Sequence, residues 1–176
     1  HVDNEVPGEL EAARAVVRVA GKTGRWDAAA RALVEATRAR ETLERSLVEA
    51  VEDAALIGSG WDSITFALAS LVHDGAGLAA NLARDLEEVI AVWHRDRRGD
   101  PDAAESAYTR ALSHDATNAS LLAELAKLQR RGKGRPLVES LMRLSQSTGG
   151  DLDLLAEAAE TAINSVGDRA LAKSIY

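Results

Sequence analysis

Cysteine is absent from this 176-residue chain, and aromatic residues make up only 3% of it. Without cysteine there is no disulfide framework, no thiolate nucleophile and no cysteine-held metal. Few aromatics and a single Met leave Ala, Leu and Val to build the core, which calls for closely packed helices. Proline occurs three times, and no β-branched residues alternate with polar ones around an Asn-Gly or Asp-Gly turn. Strands are not expected. Basic residues are also in short supply, 21 Lys and Arg against 28 Asp and Glu, for a net charge of −7. That balance disfavours broad nucleic-acid binding but leaves room for local basic patches. No apolar run approaches the roughly 20 residues that span a bilayer, and no leader peptide is visible. Membrane insertion is therefore not expected; the compartment stays open, with a cytoplasmic one favoured. The chain begins His1-Val2-Asp3, without an initiator Met, and reads as an excised or processed piece.

What is present is organised around Gly99-Asp-Pro-Asp-Ala-Ala-Glu-Ser-Ala-Tyr-Thr-Arg-Ala-Leu112. Gly99 closes one helical pattern, and Pro101 opens the next where its missing N–H costs nothing. Ala104, Tyr108, Ala111 and Leu112 then share one helix face, with Glu105 on the exposed side. Small Ala lets a neighbouring helix come close while Tyr108 fills the space between.

The rest of the chain repeats this construction. Residues 1–8 read as a flexible N-terminal segment. A helix from Glu9 carries Leu10, Ala13, Val16, Val17 and Ala20 until Gly21–Gly24 break it. Trp26 opens a second helix with Ala29, Leu33 and Ala36. Leu47, Ala50, Val51 and Ala54 mark a third, ended by Gly58-Ser-Gly60, and Trp61 opens a fourth with Ile64, Leu68 and Leu71. Leu86, Val89, Ile90 and Trp93 form a fifth, leading to Gly99 and the sixth. Leu122, Leu125, Ala126 and Gln129 mark a seventh; Val138, Leu141, Met142 and Leu144 an eighth; Leu155, Ala158, Ala159 and Ala162 a ninth. A short tenth holds Ala172 and Tyr176.

The leading core positions of the even-numbered helices are Ala29, Ile64, Ala104, Val138 and Ala172, at intervals of 35, 40, 34 and 34. Those of the odd-numbered helices, Ala13, Leu47, Leu86, Leu122 and Leu155, run 34, 39, 36 and 33 apart. Two registers that both recur near 34 residues define a repeat. The sequence thus predicts an all-α domain over 9–176, with hairpins at 9–42, 43–75, 78–116, 119–148 and 151–176, the last incomplete. The long interval of 40 places extra connection around Gly75 and Arg97–Gly99.

On Leu122-x-x-Leu125-Ala126, Ala104-x-x-x-Tyr108 with Ala111, and the turns Gly24–Ala29 and Gly99–Ala104, the chain resembles a tetratricopeptide repeat array. It departs from that pattern in lacking the proline that closes each second helix, Ala116 standing there. It also carries Ala13, Leu47, Leu86, Leu122 and Leu155 where a large aromatic is usual. The resemblance implies a right-handed α-solenoid of about five helix–turn–helix hairpins, whose first helices line a concave surface that holds a protein or peptide.

No constellation points to catalysis or to a cofactor. His1, His73, His94 and His114 lack the i, i+4 partners of a zinc helix; His73 and His114 fall at helix ends, where a charged imidazole meets free carbonyls. Glu49 with Asp53, and Glu87 with Glu88, have the spacing of solvated helix faces rather than of an acid–base pair. The glycines at 58–60 and 75–77 follow no strand and precede no Lys-Ser/Thr, so they are not a phosphate loop. Trp26 and Trp61 open second helices at matching places and are read as repeated packing residues, and Trp93 as core.

Charge placement is the remaining signal. Arg14, Arg18 and Lys22 form one stripe along the first helix, off its apolar face. Lys127, Arg130 and Arg131, continued by Lys133 and Arg135, form a second patch. The resemblance implies that cations on first helices hold acidic peptide groups; the plainer reading is a solvated face with local ion pairs such as Arg14 with Glu11. The expected function is accordingly a non-enzymatic interaction scaffold with a protein or acidic peptide partner. An architectural repeat segment of a larger, bacterial-type multidomain protein and an RNA-binding helical module are the alternatives, the latter opposed by the net charge.

Overall fold

The computed structural model of the protein describes residues 7–74 and 77–175. These form ten α-helices and no strand: α1 Pro7–Thr23, α2 Trp26–Arg40, α3 Arg45–Gly58, α4 Trp61–His73, α5 Ala80–Val92, α6 Pro101–His114, α7 Ala119–Gln129, α8 Arg135–Ser147, α9 Leu152–Thr161 and α10 Arg169–Ser174. Single π-helical turns, Trp93–Arg97 and Ala162–Val166, extend α5 and α9. The expected Tyr176, the connection at Gly75 and residues 1–6 lie outside the described residues.

One left-handed residue sits in each turn that leads into an even-numbered helix. They are Gly24 (φ 68°), Ser59 (51°), Gly99 (62°), Lys133 (45°) and Gly167 (74°). A left-handed residue just past a helix reverses the chain and satisfies the last carbonyls. Each of the five lies five residues ahead of Ala29, Ile64, Ala104, Val138 or Ala172, and all five of those side chains are buried. The intervals of 35, 40, 34 and 34 read from side chains are therefore also the intervals of the backbone turns.

The chain divides into two compact units, residues 1–100 and 101–176. The division falls between the two helices of the predicted third hairpin. In the first unit α1 packs on α2 and α3, α2 packs on α4, and α5 packs on α4. The odd helices α1 and α3 thus form one layer, and α2 and α4 the other. In the second unit each helix packs on the next, from α6 through α10. Its core gathers Ala126, Val138, Leu141, Ala158, Ala159 and Ala172, with Met142 and Leu155 packed against them.

A second regularity concerns helix starts. The beginning of an even-numbered helix meets the end of the next odd-numbered one. Trp26, opening α2, lies over Gly58 and Gly60 at the end of α3. Trp61, opening α4, meets Trp93 edge-on at 5.9 Å between centroids, with Arg97 stacked 5.1 Å above its ring. Arg98 also donates to Asp62 there. In the second unit Arg131, just past α7, reaches Asp102 in the first turn of α6 at 3.2 Å. The tryptophans thus take up packing positions, as their matching places suggested.

Of the remaining repeat positions, Leu33, Leu68, Tyr108, Ala111, Leu122, Leu125 and Ala126 are buried and Ala36 is partly so. Other expectations need correction. Helix α1 opens at Pro7, ahead of Glu9, and runs through Gly21 instead of breaking there. A helical Gly21 serves close approach, since a Cβ at that position would stand 2.7 Å from the Cβ of Ala54. In α3 the buried stripe is Leu47, Val51 and Ala55, leaving Ala50 and Ala54 half-buried. Among the α1 side chains described, Val17 and Ala20 are the buried ones, and Val16 is exposed. Glu87 lies inside the fold, 2% exposed, where its carboxylate meets Nε2 of His73 at 3.0 Å. Glu105 is half-buried and accepts a hydrogen bond from Gln129 at 2.8 Å. Spacing alone could not reveal these partners, which come from other helices.

Candidate functional site

The six cations singled out in the sequence fall three in each unit. On α1, Arg14 is engaged by Glu11 one turn earlier, at 2.8 Å. Arg18 and Lys22 have no ion-pair or hydrogen-bond partner among the described residues. Both are exposed and line a groove of about 360 Å³ between α1 and α3.

The groove is built from small residues. Gly21 and Ala54 let the two helices touch, so they form its floor. The α1 wall carries Arg18 and Lys22, and the α3 wall carries Asp53 and Ile57. Ile57 is 87% exposed, an isoleucine held in water next to two uncommitted cations. Sequence reasoning missed it. The available signal was its position beside the 47, 51, 55 stripe at the very end of α3, just before Gly58. Such a surface offers charge to carboxylates and an apolar contact to an aliphatic side chain.

The cations of the second unit are arranged differently. Lys127 pairs with Glu124 on its own helix. Arg130 makes a two-pronged bond to Glu157, at 2.7 and 2.9 Å, which ties α7 to α9. The guanidinium hydrogen bond holds the Glu157 carboxyl below its usual range, and the same bond raises Arg130. Arg131 reaches Asp102 and also donates to the Leu128 carbonyl at 2.9 Å. Arg135 meets Asp168, the residue capping α10, at 2.7 Å. The Leu171 N–H bond, then Arg135, lower the Asp168 carboxyl. Lys127 pairs within α7; Arg130, Arg131 and Arg135 join one helix to another.

A cleft of about 350 Å³ adjoins this network, lined by Asp102, Glu105, Gln129 and Arg131 among others. Gln129 is buried there, and its Oε1 has no hydrogen-bond partner among the described residues. Among the described residues no three His, Asp or Glu side chains gather as a metal-ligand set, and no helix is long and apolar enough to cross a membrane. Compared with protein-family models, with curated proteins and with solved structures, the chain matches none.

Proposed function

We propose that this chain is a non-enzymatic interaction scaffold, a right-handed α-solenoid of helix–turn–helix hairpins that holds an acidic peptide segment of a protein partner. The observation that carries the reading is the α1–α3 groove, where Arg18 and Lys22 have no partner among the described residues and stand beside the exposed Ile57. An unpaired cation retains its full capacity for a carboxylate, whereas a paired one must first give up a partner. The groove, rather than the second patch, is therefore the binding surface in this reading. Two further observations support the repeat architecture: the left-handed residues at intervals of 35, 40, 34 and 34, and the recurrent packing of each even-helix start on the next odd-helix end.

The test is selection from a random dodecapeptide library displayed on phage, with the whole chain immobilised. Enriched peptides should carry two or more Asp or Glu next to an aliphatic residue, and they should be lost on the Arg18→Glu, Lys22→Glu chain. Enrichment of basic or purely aromatic peptides, or retention by the reversed chain, would defeat the assignment.

A further inference from the structure

Each of the first three even-numbered helices carries an aspartate three residues past the left-handed residue that precedes it: Asp27 after Gly24, Asp62 after Ser59 and Asp102 after Gly99. Two of these acids hold an arginine from the end of the next odd-numbered helix. Arg98 donates to Asp62, and Arg131 to Asp102. Helix α3, whose end meets the start of α2, closes with Leu56-Ile57-Gly58-Ser59-Gly60 and offers no cation there. Asp27 is exposed, and its side chain has no partner among the described residues. One turn further along α2, Arg31 is exposed and equally without one. The two do not pair with each other, although acid then base at i, i+4 favours it. Both border a groove of about 450 Å³ between α2 and α4, together with Trp26, Phe66, Ala67 and Leu71. Phe66, the single phenylalanine of the chain, is 75% exposed. This groove shares no residue with the one between α1 and α3.

We infer that the α2–α4 groove is the interface of a symmetric dimer, its occupant a second copy of this chain. A two-fold interface applies one patch to itself, so each charge must find its opposite on that same patch. Asp27 and Arg31 meet this condition. With the two α2 helices antiparallel, Arg31 of each copy reaches Asp27 of the other. Asp27 thereby gains the arginine that the chain itself supplies to Asp62 and Asp102. A partner carrying charge of one sign would satisfy only one of the two residues. Phe66 of each copy enters the groove of the other, where Ala67 leaves room for a ring and Leu71 gives it apolar contact. Ion pairs in such exposed positions are individually weak and are screened by salt, so the dimer is weak and salt-sensitive. The inference does not rest on the peptide reading.

The test is analytical sedimentation of the whole chain from micromolar to millimolar concentration. The unmodified chain should pass from monomer to dimer as concentration rises, and high salt should weaken the dimer. Asp27→Arg and Arg31→Asp, each alone, bring like charges face to face and should weaken association at least tenfold. Mixed in equal amounts, the two variants should associate again, because every facing couple in the mixed pair is of opposite sign. Mixing could not repair a merely structural effect of either reversal. Phe66→Ser should weaken the dimer severalfold with the helical signal unchanged, and it reads the same interface if a reversal fails to fold. A chain that stays monomeric throughout, a dimer indifferent to these variants, or folded reversals that do not associate on mixing would each overturn the proposal.

Discussion

Trp26 lies so close over Gly60 that a Cβ on the glycine would stand 2.0 Å from Cζ2 of the indole. The backbone at Gly60 is ordinary, with φ −97°, so this glycine is required by contact rather than by conformation. Its neighbour in sequence, Ser59, supplies the left-handed turn. The pair joins the start of α2 to the end of α3 and sets how the second hairpin sits on the first.

Gly60→Ala should therefore destabilise by about 1–3 kcal/mol, the range of overpacked sites. Gly24→Ala is the informative comparison. Space around Gly24 is open, but its φ is 68°, so the cost there is conformational, about 1–2 kcal/mol. Adding Trp26→Leu should remove much of the Gly60→Ala penalty and leave that of Gly24→Ala unchanged. Urea denaturation of the single and double variants measures this.

At the fourth turn a lysine occupies the left-handed position, Lys133 with φ 45°. Its side chain is exposed and has no partner among the described residues. Lys133→Gly should relieve strain of about 1–2 kcal/mol, offset in part by the entropy that glycine loses on folding. A net gain of about 0.5–1 kcal/mol in thermal or chemical denaturation is expected, and Lys133→Ala should give none of it.

Gln129 and Glu105 should respond unequally. Glu105 accepts the one hydrogen bond that the Gln129 amide makes, and the amide oxygen is already unpartnered. Glu105→Ala leaves the whole buried amide unpaired, at a cost of about 1–3 kcal/mol. Gln129→Leu removes the unsatisfied group but leaves the half-buried Glu105 carboxylate to water, so it should cost less than Glu105→Ala, and only the double replacement should approach neutrality. Equal losses for the two would show that the amide is satisfied in solution.

The Arg130–Glu157 clasp carries a pH signature. Its carboxyl titrates below the usual range because the guanidinium binds the charged form. A depressed folded pKa contributes stability above the unfolded value, and that contribution disappears as pH falls through the folded one. Both side chains are more than a third exposed, so screening limits the coupling to about 0.5–1 kcal/mol. A double-mutant cycle with Arg130→Met and Glu157→Gln should find that coupling near neutrality and none well below the ordinary carboxylate range.

The repeat interval was legible because the small residues at 29, 104 and 172 are fixed by contact between neighbouring helices, and contact recurs with the repeat. Trp26 and Trp61 could be placed for the same reason. Other features depend on partners distant in sequence. Gly21 looked like a break because glycine usually is one; only Ala54 of the facing helix explains a glycine inside α1. Glu87 looked solvated because its cover, with His73 at the end of α4, comes from another helix. The basic patches illustrate the same limit. Spacing brought Arg130 and Arg131 to one surface, but their acids sit on α9 and α6, and no periodicity along α7 could reveal them. Arg18 and Lys22 differ from them only in what faces them.

That difference is what the functional reading depends on. The most direct measurement is fluorescence anisotropy of a selected acidic peptide, titrated with the unmodified chain, with the Arg18→Glu, Lys22→Glu chain, and with Arg130→Glu, Arg131→Glu, at low and high salt. The account predicts that the first reversal weakens binding at least tenfold without changing the helical signal. The second reversal should leave affinity within about twofold, and salt should weaken the unmodified complex as exposed charges are screened over about 8–10 Å. Binding that survives reversal at Arg18 and Lys22, or that is lost only at Arg130 and Arg131, would contradict it.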